Sequence, residues 1–449
     1  MSDNKQHRVK ADWATGESSW HNWLQRAAIE LKLSDPGELI ATDWEGIVRA
    51  PFYSADGPFA VAHTPEVEKQ SEHTWMAVAP ISGQDAAAVN ARALHALQHG
   101  AESILPDFSA FSPADLPVCL QGILPQYAPL YAEGISADAL NSGILAWVEQ
   151  EKIPPGSVRG ALLHDALELL SWDDNTWKET HARYSGTLPE FHPFGVNTAH
   201  WRARGLSATE ETALVWLCLY RCLSHRNNDR MNVGAISPIS IQFPVSVGCS
   251  TEFFDELARL RALREGLQRV ASLFTGTNPA ELNLRIHPMI MVRVVPDMLC
   301  SEDTHTNLLR LTTMGISGIL GGCDALCLSP FDPTDNADGF ADELSLHMQM
   351  ILRHEAFPQV PEDAGKGSHY IEYLSEAMGN RAWTILGNMV DLCTQGGSWN
   401  PGKIEEQLDD WCRAGEARMG QVRASGKRIR VGVDRYRIEV PGQQQGNPL

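Results

Sequence analysis

The chain has 449 residues, 43% hydrophobic and 20% charged, which is ample for a large core in two or three domains or in one barrel with extensions. Its 36 Lys plus Arg against 56 Asp plus Glu give a net charge of −20, which argues against nucleic acid and anionic membrane as partners, because both attract a basic footprint. No apolar run of about 18 residues occurs, the opening MSDNKQHRVKAD is too polar for a signal peptide, and nine scattered cysteines suit a reducing compartment, so a cytoplasmic protein without a membrane span is expected.

In chain order, residues 1–60 form an aromatic-rich N-terminal arm with Trp13, Trp20, Trp23, Trp44, Phe52 and Tyr53. Apolar spacing predicts a helix over 20–33, ended by Ser34-Asp35-Pro36-Gly37. The arm can dock on the chain's own body or on a partner, and both readings stay open. From about residue 75, helices and strands alternate. Asp85 is placed to cap a helix over 86–99, stopped by Gly100, and 103–106 reads as a strand. An apolar run follows at 118–123, then a helix over 162–170 and an extended segment at 193–198. A helix over 207–223, a strand over 239–247, a long helix over 251–273 and a β-rich run at 286–295 come next.

The segment 307–332 (NLLRLTTMGISGILGGCDALCLSPFD) then reads as one helix–strand unit. Leu308, Leu311, Ile316 and Ile319 line one helix face, with Arg310 and Ser317 pointing away. Gly321 and Gly322 end the helix in left-handed backbone, residues 325–328 are uniformly apolar, and the strand opens into Ser329-Pro330-Phe331-Asp332. Helices over 338–355 and 368–386 close the alternating region. About six strands are evident where an eight-fold barrel needs eight, so the expected fold is α/β, a (β/α)8 TIM-type barrel over 61–392 whose closure is inferred from alternation. Residues 393–449 are expected to form a C-terminal helical extension, with a helix over 403–424 and an extended basic tail that ends in GQQQGNPL.

No motif fixes a chemistry by itself. Cys323 and Cys327 lack a second pair for zinc, and Cys218 and Cys222 suit a buried helix face. His347 and His354 suit a helix flanking the core, and Asp303-Thr304-His305 suits a helix cap. No P-loop, G-x-S-x-G elbow or H-E-x-x-H occurs, and no metal or cofactor ligand is expected on this chain. His200 stands out because it follows a predicted strand and precedes a helix, at the mouth of a barrel, where a neutral imidazole would donate to a substrate carbonyl. A loop histidine packed beside Trp201 is the plainer alternative.

Five segments in order resemble the methylmalonyl-CoA mutase family, and its small (beta) subunit in particular. They are 90–103 (NARALHALQHGAES), 254–264 (FDELARLRALR), the helix-GG-strand-PFD segment 307–332, 367–374 (GSHYIEYL) with Ala382-Trp383 after it, and 432–436 (GVDRY). The resemblance implies the barrel of an adenosylcobalamin-dependent mutase interconverting succinyl-CoA and methylmalonyl-CoA by radical rearrangement. In catalytic subunits of that family the CoA arm threads the barrel axis between small hydrophilic side chains.

Departures from the family pattern carry the functional expectation. The cobalt-ligating D-x-H-x-x-G of a cobalamin-binding domain does not occur. The catalytic Y-H-x-x-E-A-G reads Ala199-His200-Trp201-Arg202-Ala203-Arg204-Gly205, which keeps the histidine and loses the tyrosine and glutamate. Met76-Ala77-Val78-Ala79-Pro80 lacks the tyrosine expected after Trp75, and Ser240-Ile241-Gln242-Phe243 lacks the arginine of R-x-S-F. The substrate-contacting T-Q-S-L reads Cys323-Asp324-Ala325-Leu326, where an aspartate is expected to repel an anionic thioester. The resemblance therefore implies a non-catalytic small subunit with a bulkier bore. His200 would be vestigial, adenosylcobalamin would sit on a large catalytic partner subunit, and the aromatic arm would wrap that partner. Two alternatives remain: a catalytic barrel working with a separate cobalamin-binding chain, and a barrel that senses CoA thioesters.

Overall fold

Eight parallel strands close on themselves: β1 (Met76–Ile81), β2 (Ser103–Pro106), β3 (Leu130–Ala132), β4 (Gly160–Asp165), β5 (Phe191–Asn197), β6 (Ile239–Gly248), β7 (Leu284–Val294) and β8 (Ala325–Leu328). Closure is made by β8 against β1, with Ala325, Leu326 and Cys327 in register with Met76, Ala77 and Val78. The computed structural model describes residues 20–61, 74–228, 239–274, 284–332, 339–395, 397–426 and 428–436; Trp13 and the GQQQGNPL end lie outside the described residues. The expected TIM-type barrel is thus the fold.

The strands read as apolar runs because both faces are covered. Every residue of β8 and β2 is buried, and inward and outward side chains alternate along each strand. Outward residues such as Phe243, Val245, Val292 and Leu326 join the main core under the helices. With α1 reserved for the helix Trp20–Leu31 of the arm, that layer includes α2 (Ala86–Gln98) after β1, α3 (Ala137–Glu151) after β3, α4 (Ala208–Asn228) and α5 (Phe253–Ser272) flanking β6, α6 (Asn307–Leu320) before β8, and α7 (Phe340–Ile351) after it. Asp85 caps α2 by accepting from the Ala88 amide at 2.8 Å, and Gly100 follows with φ +104°.

Four details differ from the sequence reading. Residues 162–165 are the end of β4, and its helix spans only Ala166–Ser171; the strand runs into the helix with no breaker between them except Asp165, whose carboxylate caps the helix at the Leu167 amide. The apolar run at 118–123 lies on a short helix, Leu116–Cys119, and the turn after it, while the third strand is the three-residue β3. Ser317 does not face solvent: it is fully buried, its hydroxyl satisfied by the Met314 carbonyl at 2.9 Å. Of the two glycines ending α6, Gly321 has φ −73° and only Gly322, at +87°, is left-handed.

The aromatic arm divides in two. Ile47 is buried among Ala208, Ala258, Leu374 and Met378, and Arg49 pairs with Asp255 at 2.9 Å and Asp43 at 2.7 Å. Tyr53 stacks against Tyr370 and Tyr373 of α8 (His369–Thr394), so residues 43–59 dock on the chain's own barrel. Helix α1 (Trp20–Leu31) buries no residue and leaves Ile29 and Leu31 exposed, while Trp20 and Trp23 stack on Phe52. At the other end, α9 (Gly402–Ala424) buries Ile404, Leu408 and Cys412. Its Gly415 rests on Gly205 so closely that a Cβ there would lie 2.0 Å from the Gly205 carbonyl oxygen.

Candidate functional site at the barrel mouth

Inward-pointing side chains fill the bore. Val78, Leu105, Tyr131, Ala161, Leu163, Met291, Ala325 and Cys327 pack into one buried cluster, with Met76 and Met289 against it. This is the layered filling of a packed barrel. Burial pushes the Cys327 thiol up to about 12 and the Tyr131 phenol well above its ordinary value, so neither ionises there at neutral pH.

Above the bore, the strand ends turn polar. Arg293 on β7 reaches Glu133, just after β3, in a two-pronged pair at 2.5 and 2.6 Å. In ring order β3 and β7 are four strands apart, so the pair spans the diameter of the mouth. Both side chains are only 14% exposed. Burial alone lowers the Arg293 pKa, but the adjacent Glu133 carboxylate more than offsets it, and the guanidinium stays charged. Asn197, the last residue of β5, donates to Glu133 at 2.9 Å and accepts from the Ala199 amide at 3.1 Å, tying the pair to the turn that carries His200.

His200 lies where its position after a strand suggests, on a short helix, Ala199–Ala203, just beyond β5. Its Nε2 is 2.7 Å from Asp165 Oδ2 at the end of β4, and the same oxygen accepts from Trp201 Nε1 at 3.1 Å. Burial works against ionisation of Asp165, but His200 and the Leu167 and Trp201 N–H groups outweigh it and hold the carboxyl below its ordinary value. In neutral His200 the single N–H donates to this carboxylate, which leaves Nδ1 as an acceptor. The expected donor to a carbonyl therefore exists only in the imidazolium form. The ring is about two-fifths exposed, so it can meet a ligand above the mouth.

Beneath the turn lies a buried charge network. Glu256 joins Arg202 at 3.2 Å and Arg259 at 2.6 Å, and Arg259 also pairs with Glu211 at 3.1 Å. Glu211 further accepts from Thr198 Oγ1 at 3.0 Å and the Gly248 amide at 2.8 Å, so β5, β6, α4 and α5 are locked behind His200. Two plus and two minus charges cancel, and every carboxylate oxygen is bonded, which is the condition for burying ions at all. Sequence reasoning missed both the network and the Arg293–Glu133 pair. An arginine following the apolar run Met289–Val292 of β7 was the available signal for Arg293. For Glu256 and Arg259 there was none, since their helix also carries a full apolar stripe.

The other sequence candidates lie elsewhere. Asp324 precedes β8, at the end of the barrel away from the mouth, where it pairs with Arg264 at 2.7 Å and accepts from the Ile290 amide at 2.8 Å. Its charge is compensated, so the expected repulsion of an anionic ligand by this residue does not hold. Asp303 accepts from the Thr306 amide at 3.3 Å in the turn ahead of α6, but the N-cap position itself is Thr306, which makes no side-chain cap bond. None of the nine cysteines is in a disulfide, and eight are buried. Among the described residues of the segment after β8, Ser329 and Phe331 are buried, and the Ser329 hydroxyl donates to the Val294 carbonyl at 2.6 Å.

A closed parallel barrel with a carboxylate-held imidazole over a filled bore is a (β/α)8 barrel with its polar groups at the C-terminal mouth. The family model described as methylmalonyl-CoA mutase matches residues 175–447. This chain is similar to a methylmalonyl-CoA mutase of Rhizobium meliloti, 24% identical over 257 residues, covering 56% of this chain and 34% of the relative. It is also similar to two Porphyromonas gingivalis proteins: the methylmalonyl-CoA mutase small subunit, at 26% over 45% of this chain and 32% of the relative, and the large subunit, at 23% over 57% and 34%. The chain belongs to the methylmalonyl-CoA mutase family, and the matched stretches span about a third of the length of these curated relatives.

Proposed function

We propose that this chain is the non-catalytic small subunit of a heteromeric adenosylcobalamin-dependent methylmalonyl-CoA mutase. It stabilises a large subunit that carries the cofactor and performs the succinyl-CoA to methylmalonyl-CoA interconversion. The observation that carries this reading is the state of the bore. Leucine, methionine and tyrosine side chains occupy the axis, and the Arg293–Glu133 pair spans its mouth, where a substrate arm would have to enter. Opening that route would strip water-free partners from two charges and expel packed apolar side chains, both unfavourable by several kcal/mol on the order of a buried ion-pair break. One relative is named a small subunit and another, from the same organism, a large subunit, which supports a two-chain assembly. The exposed apolar residues Ile29 and Leu31 on α1 give such a partner an anchoring surface. Calorimetry of the purified chain against succinyl-CoA and methylmalonyl-CoA tests the reading: no heat is expected, and saturable binding to the isolated chain contradicts it.

The His200–Asp165 pair favours a second reading, a catalytic barrel that borrows cobalamin from a separate chain. Here His200→Ala should abolish turnover in a reconstituted mixture. Undiminished turnover rejects this second reading.

A further inference from the structure

Outside the bore, the helical layer brings together His95, His99 and Glu343, one ligand atom from each lying within 4.8 Å of the others. His95 and His99 are one turn apart on α2, and their rings stack with centroids 4.0 Å apart. Glu343 comes from the first turn of α7. We infer that these three side chains form a divalent-metal site, with zinc the best-suited ion.

Three features of the surroundings carry this. His99 Nδ1 lies 2.7 Å from the His95 carbonyl, so it bears the proton, and Nε2 keeps its lone pair for a metal. A hydrogen bond from the non-ligating nitrogen to a backbone carbonyl is what orients metal-bound imidazoles in general. His347, one turn after Glu343, places Nε2 3.4 Å from Glu343 Oε1, a second polar neighbour for that carboxylate. The adjacent charges are already matched, since Arg92 pairs with Asp342 at 2.7 Å, so Glu343 is not drawn to the arginine.

Two imidazoles and a carboxylate are a zinc donor set that leaves a fourth position for water. Bonds of about 2.0–2.2 Å set tetrahedral donors roughly 3.4 Å apart, so donor atoms within 4.8 Å of one another must close by up to about 1.4 Å. All three are half-buried, which leaves them that freedom. A cavity of about 400 Å³ between the two helices and β1 adjoins the cluster and gives the water position room. The site also has a structural consequence. Helix α2 follows β1 and α7 follows β8, the two strands that close the barrel, so a metal here staples the first unit to the last. An ion held only by the folded chain raises its stability by mass action.

The full chain, stripped with chelator, is titrated with cobalt(II) chloride. One equivalent should give the intense visible bands of a four- or five-coordinate site without thiolate charge-transfer bands, and zinc should displace it. Zinc alone should raise the thermal midpoint. His95→Ala and His99→Ala should each weaken binding at least tenfold, Glu343→Gln should weaken it as well, and His347→Ala should do so less than either histidine change. Melting in chelator verifies that the variants fold, and the near-isosteric Glu343→Gln keeps the test intact if a histidine variant does not. Binding that is unchanged in a folded His95→Ala or Glu343→Gln variant, or the absence of both cobalt bands and a zinc-dependent midpoint, overturns the proposal.

Discussion

Replacing Arg293 by methionine keeps the length and apolar stem of the side chain but removes the charge that faces Glu133 across the mouth. The carboxylate would retain a single donor, Asn197 Nδ2 at 2.9 Å, in place of the two guanidinium bonds at 2.5 and 2.6 Å. Removing one member of a buried pair costs about 3–5 kcal/mol. Both side chains are 14% exposed and one hydrogen bond survives, so the lower end, about 3 kcal/mol, applies here. That is a large part of a native stability of roughly 5–15 kcal/mol. The double change Arg293→Met with Glu133→Leu removes both charges and continues the apolar filling of the bore, so it should return stability to within about 1 kcal/mol of the parent or above it. Urea unfolding of the three proteins, with slopes compared to exclude a changed denatured state, reads this directly. A single variant within about 0.5 kcal/mol of the parent, or a double variant as weak as the single, would refute the view that the mouth is held by a desolvated pair.

Three further outcomes follow from the packing and the site. Ile47→Ala empties a fully buried position under the arm and should cost about 2–4 kcal/mol of arm docking, seen as faster limited proteolysis ahead of residue 60; unchanged cleavage would contradict docking on the chain's own barrel. Gly415→Ala forces a Cβ to within 2.0 Å of the Gly205 carbonyl oxygen, so α9 must shift at about 1–3 kcal/mol, and a thermal midpoint equal to the parent's would show that the contact is not made. The third outcome concerns acid. Asp165 has its folded pKa depressed, so its contribution is present above the ordinary aspartate range near pH 4 and is lost as pH falls through the folded value. His200→Ala removes the strongest lowering partner and should move the acid-unfolding midpoint to higher pH; a midpoint that stays put argues against the pairing.

The fold was legible where an element carried its own punctuation. Asp85 and Gly100 bracket α2, and Gly322 separates α6 from β8, so those boundaries could be read directly. Strand β3 is three residues long, too short for periodicity to register, and β4 passes into a helix through Asp165, which caps the helix while also holding His200. An aspartate with two roles leaves no separate signal for either. His200 could be placed at the mouth from its position after a strand, but its partner could not, because 35 residues separate the two and only the parallel pairing of β4 with β5 brings their ends together. Asp324 misled for the same reason: its neighbour Arg264 lies 60 residues earlier, and a charge read without its partner looks like an obstacle.

The most direct test of the central claim counts acyl-CoA sites on the complex. The chain is co-expressed with a cobalamin-binding large subunit of the same family, and the purified assembly is titrated with methylmalonyl-CoA by calorimetry. One bound thioester per pair of chains is predicted, held by the large subunit. Two per pair would mean that this barrel also opens to substrate, and would contradict the account.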